Sequence, residues 1–245
     1  MDRKKFRKKF GCDHAVVLPV IHVLDENQTL SNIERARQGG CPGVFLINHD
    51  FGIKPFLPII RSARLAHPDF WIGLNFLAVT GDRAFPVLGD LQLEGVRIDA
   101  YWADDARIDE RLPQDNQPEA SAILSARERS DWKGLYFGGT AFKKQREVPA
   151  SLIATSAEIA CGYMDVVTTS GVATGHAADT GKIDVFRAAC RDKPIALASG
   201  ITPDNVHEYA DLVDCLMVAT GINMEGDFYN ISPQRLENLM ARLKG

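Results

Sequence analysis

The sequence predicts a single-domain (β/α)8 barrel, and three observations carry the prediction. A strand-like apolar run followed by a helix-like stretch recurs eight times along the 245 residues. The strand-like runs are continuous and rich in Val, Ile and Leu, as expected of parallel strands covered on both faces. The turn after the first run, "VIHVLDENQ", has no glycine, so it lacks the GxGxxG fingerprint of a doubly wound open sheet, the alternative architecture. No linker or shift of composition divides the chain, so the expected organisation is a basic N-terminal segment over 1–12 and a barrel over 13–245.

The elements follow in order. "MDRKKFRKKF" opens the chain. Phe6 and Phe10 stand one helical turn apart, which fits a short helix that covers one end of the domain while its Lys and Arg side chains stay in water. A membrane or RNA contact is the sharper alternative for this segment. The strands are then expected at Ala15–Val23, Gly43–His49, Trp71–Leu77, Gly95–Trp102, Gly134–Gly139, Asp165–Ser170, Pro194–Ser199 and Cys215–Ala219. Helices are expected over 28–39, 54–66, 82–92, 118–131, 150–162, 180–191, 203–212 and 232–243. The longest irregular stretch, Ala103 to Pro118, follows the fourth strand and reads as a loop over the barrel mouth.

With 45% hydrophobic and 24% charged residues, the chain can bury a large core without disulfides or metals. The formal net charge of -4 gives no reason to expect nucleic acid as a partner. No run approaches the length of a membrane helix, and the basic N-terminus lacks the apolar core of a signal peptide, so no membrane partner and a cytoplasmic location are expected. The five cysteines (Cys12, Cys41, Cys161, Cys190 and Cys215) are scattered without CxxC or ligand-like spacing and read mainly as small buried hydrophobes.

A barrel of this kind works at the C-terminal ends of its strands. The polar residues there are His22, Asn48, His49, Asp50, Asn75, Arg97, Asp99, Tyr101, Thr140, Thr168, Thr169, Ser170 and Gly171. In "GVRIDAYW", alternation with Val96, Ile98 and Ala100 toward the helices turns Arg97, Asp99 and Tyr101 into the interior. Asp99 is then a general base or metal ligand held ionised by Arg97, or the two form a structural pair. His22 ends its strand as a proton-exchanging group or as a satisfied core histidine. Asn75 can donate to a substrate oxygen, and either Asn48 with Asp50 or His49 alone faces inward. A divalent metal such as Mg²⁺ on some of His22, His49, Asp50 and Asp99 has no HxH or HExxH spacing behind it, and no cofactor is expected.

Strands seven and eight end in "ASG" and "ATG", which sets Ser199, Gly200, Thr220 and Gly221 side by side where such barrels hold phosphate. After Gly200, Thr202 as N-cap and Pro203 in the first turn suggest a helix N-terminus aimed at the anion. "TSGVATG" after strand six adds Gly171, Thr174 and Gly175.

In "VLPVIHV", "INHDFGIKPF", "IGLNFLA", "DVVTTSGVATG" and "ASGITPDNVHEYADLVD" the chain resembles the BtpA/SgcQ group of TIM-barrel proteins over most of its length. The resemblance implies a phosphosugar- or nucleotide-handling barrel, with a sugar-uptake setting for one branch and a photosystem I assembly role for another. The chain departs from that pattern at Asn48 and His49 in place of a Glu-Asn pair, and at "FLAVTGD" in place of an Asn-Asp. Phe137 and Asn223 stand in place of two lysines, and Lys143 or Lys144 can substitute for a missing charge. The expectation is an enzyme on a small phosphorylated ligand. Asp99 and His22 exchange protons, Asn48, Asn75, Arg97, Tyr101 and Thr168 bind substrate, and Gly171, Ser199, Gly200, Thr220 and Gly221 hold phosphate. A non-catalytic assembly or regulatory factor is the alternative, and a homo-oligomer is a reasonable expectation.

Overall fold

Every residue of the strand β1 (Val16–Val23) is buried, so this run needs cover on both sides. Val16, Leu18 and Val20 pack inside the barrel, while Val17, Ile21 and Val23 pack outward under the helices. The computed structural model describes residues 1–244 apart from Lys144, Val172 and Thr174. The remaining strands are β2 (Gly43–Asn48), β3 (Trp71–Phe76), β4 (Ala100–Ala103), β5 (Leu135–Gly139), β6 (Val166–Ser170), β7 (Ile195–Ala198) and β8 (Cys215–Val218). They pair in chain order and close as a parallel barrel, β8 meeting β1 with Val16 opposite Cys215. The chain is thus a (β/α)8 barrel.

The helices lie on the outside: α1 (Arg3–Phe10), α2 (Glu26–Gln38), α3 (Ile53–Ala66), α4 (Gly81–Leu93), α5 (Pro118–Ser130), α6 (Ile153–Ala160), α7 (Thr180–Cys190), α8 (Val206–Tyr209) and α9 (Pro233–Lys244). Caps set several starts. Asp25 accepts from the Gln28 amide to open α2, and Asp179 accepts from the Lys182 amide to open α7. Among the described residues no helix is long and apolar enough to cross a membrane. All five cysteines are free, and Cys41, Cys190 and Cys215 are buried.

The N-terminal segment plugs the barrel. Asp2 caps α1, and Gly11 at φ 64° ends it. Phe6 is fully buried, its ring 6.1 Å from Phe137 inside the barrel, and Phe10 lies 5.5 Å from Trp71. Burying such a ring stabilises by roughly 2–3 kcal/mol. Arg3 and Arg7 donate to Asp214 Oδ1 at 2.9 and 3.1 Å, and Arg187 donates to its other oxygen at 2.9 Å. Lys4, Lys5, Lys8 and Lys9 stay exposed. The plug sits at the N-terminal ends of the strands, so the opposite end alone is open for a site.

Two elements correct the sequence reading. Strand four begins at Ala100 rather than Gly95, and its faces are reversed: Ala100 and Trp102 point inside, Tyr101 outward. Trp102 fills the interior, its ring 6.0 Å from that of Phe45. The Tyr101 hydroxyl needs a partner and finds one in the Val79 carbonyl at 2.7 Å, between sheet and helices. Alternation counted from Val96 fails because Val96–Asp99 is not strand.

The helix after β7 is a single turn starting at Val206, not at Pro203. Asn205 takes the Thr202 amide on Oδ1 and donates Nδ2 to the Gly200 carbonyl, both at 2.8 Å, and so holds Thr202–Asn205 as a turn. One turn has no appreciable macrodipole, so no helix N-terminus is aimed at an anion here.

Candidate active site at the barrel mouth

The inward alternation of β1, β2 and β4 delivers one polar residue each to the mouth. β1 runs Val16, Leu18, Val20 and ends on His22; β2 runs Phe45, Ile47 and passes on to His49; β4 runs Ala100, Trp102 and passes on to Asp104. His22, His49, Trp102, Asp104 and Lys143 line one side of a cavity whose other side is Gly175, Ser199, Gly200, Ile201, Ala219 and Thr220. Its enclosed volume is about 50 Å³.

His22 is only 5% exposed. Its Nδ1 lies 2.9 Å from the Phe228 carbonyl, which can only accept, so Nδ1 carries a proton and donates it there. The ring stacks on Phe228 at 3.8 Å and meets His49 edge-on at 4.7 Å. Phe228 belongs to a strap between β8 and α9, shaped by an antiparallel bridge of Asn223 with Ile231. Asp227 turns its tip by accepting from the Tyr229 and Asn230 amides and the Asn230 side chain, and these bonds, the side-chain one foremost, hold its carboxyl below the usual range. The strap is moored over β1 and β2 by Tyr229, whose hydroxyl donates to Asp50 at 2.9 Å and whose carbonyl accepts from Gln28 and Asn32.

Asp104 is the acid that the sequence reading missed. It is 8% exposed and accepts from Asn75 Nδ2 at 3.1 Å. Its signal was the period-two series Ala100, Trp102, Asp104 in "AYWAD", legible once the strand starts at Ala100. Beneath it, Asn75 Oδ1, Thr168 Oγ1 and Trp102 Nε1 are buried without a hydrogen-bond partner among the described residues. Trp71 Nε1, Tyr136 Oη and Arg187 Nε are buried in the same condition away from the mouth.

Asp99 and Arg97 are not at the mouth. Asp99 accepts from Arg64 at 2.7 Å and from the Ile72 amide at 3.0 Å, and pairs with Arg97 at 3.2 Å. That ties together the N-terminal ends of β3 and β4, five residues or roughly 16 Å of strand from Asp104. The structural alternative for this pair is therefore the one observed. Asn48 points outward from β2 and braces the loops, donating to the Phe51 carbonyl and accepting from the Leu77 amide, so His49 is the inward residue. Thr140 also faces the helices, bonded to Ser156 at 2.6 Å.

The glycines divide. A Cβ on Gly171 would stand 2.4 Å from the His176 carbonyl, and one on Gly221 only 1.8 Å from the Ile201 carbonyl. Both serve backbone-to-backbone packing of the loops after β6, β7 and β8 and do not line the mouth. Gly200, at φ 72°, has the same tight packing against His176 and Ala177 but does line it, next to Ser199 at φ 95°. A serine in that region is strained, and such strain collects at functional sites. Thr174 and Lys144 lie outside the described residues. Among those described, no three His, Cys, Asp or Glu side chains form a metal-ligating cluster.

No family model matches the chain, and no curated protein matches it. Solved structures do. It is similar to tryptophan synthase subunit alpha from Legionella pneumophila at 13% identity, covering 100% of this chain and 99% of the other with a TM-score of 0.68. It is similar to orotidine 5'-phosphate decarboxylase from Pyrococcus horikoshii at 10% identity, 94% and 100% coverage and TM-score 0.64. Phosphoribosyl anthranilate isomerase from Thermus thermophilus follows at 15% identity, 94% and 98% coverage and TM-score 0.59. At these identities the likeness is one of fold.

Proposed function

We propose that the chain is an enzyme acting on a small phosphorylated ligand of the phosphosugar or phosphoribosyl class. The observation that carries this is the two-sided mouth cavity: strand ends with small and hydroxyl residues at Ser199, Gly200 and Thr220 face His22, His49, Asp104 and Lys143. A phosphate at the ends of β7 and β8 directs the rest of the ligand toward the acid–base groups. Asp104, oriented by Asn75, is the general base, and His22 is the proton carrier. Lys143 offsets negative charge that develops on a substrate oxygen. Isomerisation and aldol-type cleavage both need this proton transfer beside a polarised oxygen, while transfer of the sugar needs its leaving group stabilised. Support also comes from the similar phosphoribosyl anthranilate isomerase and orotidine 5'-phosphate decarboxylase, whose names carry a phosphoribosyl or phosphate group. Membership of the BtpA/SgcQ group belongs to the same proposal.

A thermal-shift screen against inorganic phosphate, phosphosugars and nucleotides tests it, because a ligand that binds only the native state raises the melting temperature. Stabilisation by a phosphorylated class in the wild type and in Asp104→Asn, lost in Thr220→Asp, is expected. No phosphorylated compound shifting a folded wild type would sink the reading. One observation favours a second function, a non-catalytic factor: Phe228 covers His22. Turnover of a stabilising phosphosugar, absent in Asp104→Asn, separates the two.

A further inference from the structure

A second cavity of about 480 Å³ lies beside the mouth, between the loop from β5 to α6 and the start of α7. Phe142, Val148 and Ile153 form its apolar wall, and Lys182 reaches into it from the first turn of α7. The Lys182 ammonium donates to the carbonyls of Ala141 at 2.6 Å, just past β5, and Ser170 at 2.7 Å, the last residue of β6. It lies over the Phe186 ring at 5.8 Å. An ammonium has three donors, and two of them here meet neutral oxygens.

The other charged groups that face the cleft are Lys143, Arg146 and Glu147 from the loop after β5 and Asp179 from α7. Asp179 accepts from the Lys182 amide rather than from its ammonium. Arg146 is committed to Glu110 and Asp109. No carboxylate among the described residues offsets the Lys182 charge, and burial alone pushes its pKa down to about 8. A half-buried cation without an anion is costly unless something else supplies the charge.

We propose that this cleft is an anion subsite in which Lys182 binds the carboxylate or phosphate of a small ligand. Lys143 borders both cavities, so one ligand seated at the mouth can carry the second acidic group that enters here. That extension rests on the mouth reading; the subsite itself does not. The competing role, a clamp that only ties the ends of β5 and β6 together, predicts no response to anions.

The experiment is acylation of Lys182 by acetic anhydride at pH 8, read by peptide mass spectrometry, with inorganic phosphate or succinate present or absent. It is run on the wild type and on Thr220→Asp, which blocks the mouth. An anion beside an ammonium raises its pKa by about one unit or more, which cuts the free amine at pH 8 from about a half to about a tenth and slows acylation roughly fivefold. Protection in both proteins is expected, by phosphate for a phosphate site and by succinate for a carboxylate site. No protection by either anion overturns the subsite, even if phosphosugars bind the mouth. Protection lost in Thr220→Asp also overturns it, since the anion then acts from the mouth.

Discussion

Replacing Asp214 by alanine is expected to unseat the N-terminal plug. The carboxylate is fully buried and accepts four bonds, from Arg3, Arg7, Arg187 and the Ile195 amide. In the variant, Arg3 and Arg7, with side chains 30% and 26% exposed, turn back to water and lose little. Arg187, at 17%, has no such route and becomes a largely buried charge without an anion. Breaking a buried pair from one side costs about 3–5 kcal/mol, and the orphaned Ile195 amide adds about 1–3 kcal/mol. In a chain of this length each kcal/mol moves the melting temperature by about 2–4 °C, so a fall of roughly 8–32 °C is expected in calorimetry. Asp214→Asn, which keeps an acceptor for the Ile195 amide, should fall between. Trypsin should cut at the lysines of α1 faster in Asp214→Ala than in the wild type. A loss below about 1 kcal/mol, the scale of an exposed pair, would refute the assignment of this cluster as the anchor of the plug.

Further outcomes follow from the same geometry. Asp104→Asn should lower turnover about 10²–10⁴-fold on any phosphosugar substrate while its calorimetric affinity stays near wild type. Asn205→Ala removes both bonds that brace the loop after β7, so about 1–2 kcal/mol of stability and most phosphate affinity should be lost in urea titration and thermal shift. Phe228→Ala should uncover His22 and speed its modification by diethyl pyrocarbonate; an unchanged rate would mean that another group shields the ring. The Lys182 pKa is lowered from 10.5 to about 8 on folding, so the unfolded chain holds the extra proton between those values and stability should rise with pH across that window. Lys182→Met should flatten that rise, and an equal slope in both proteins would contradict the burial of the ammonium.

The eight units were legible because strands buried on both faces leave continuous apolar runs. Phe6 and Phe10 likewise announced a helix with one apolar side. The site was less legible, for a local reason. Phase along a strand depends on its first residue, and "GVRIDAYW" alternates plausibly in either phase. The buried ion pair of Asp99 therefore passed for chemistry, while Asp104 passed for loop. The glycine-rich strand ends were found, but composition cannot tell a glycine that admits a ligand from one that admits another backbone. Gly221 belongs to the second kind, and only the position of the Ile201 carbonyl reveals it. The strap carrying Phe228 had no sequence signal, since its effect on His22 spans 206 residues.

The plug also imposes an order on assembly. Arg3 and its anchor Asp214 lie 211 positions apart, so α1 leaves the ribosome long before its seat and can dock only when β8 has emerged. Six basic residues in eight keep α1 soluble in the meantime. Its docking is then a latch that engages after the ring has closed, and in refolding a fluorophore near Phe10 should report burial later than the formation of the barrel.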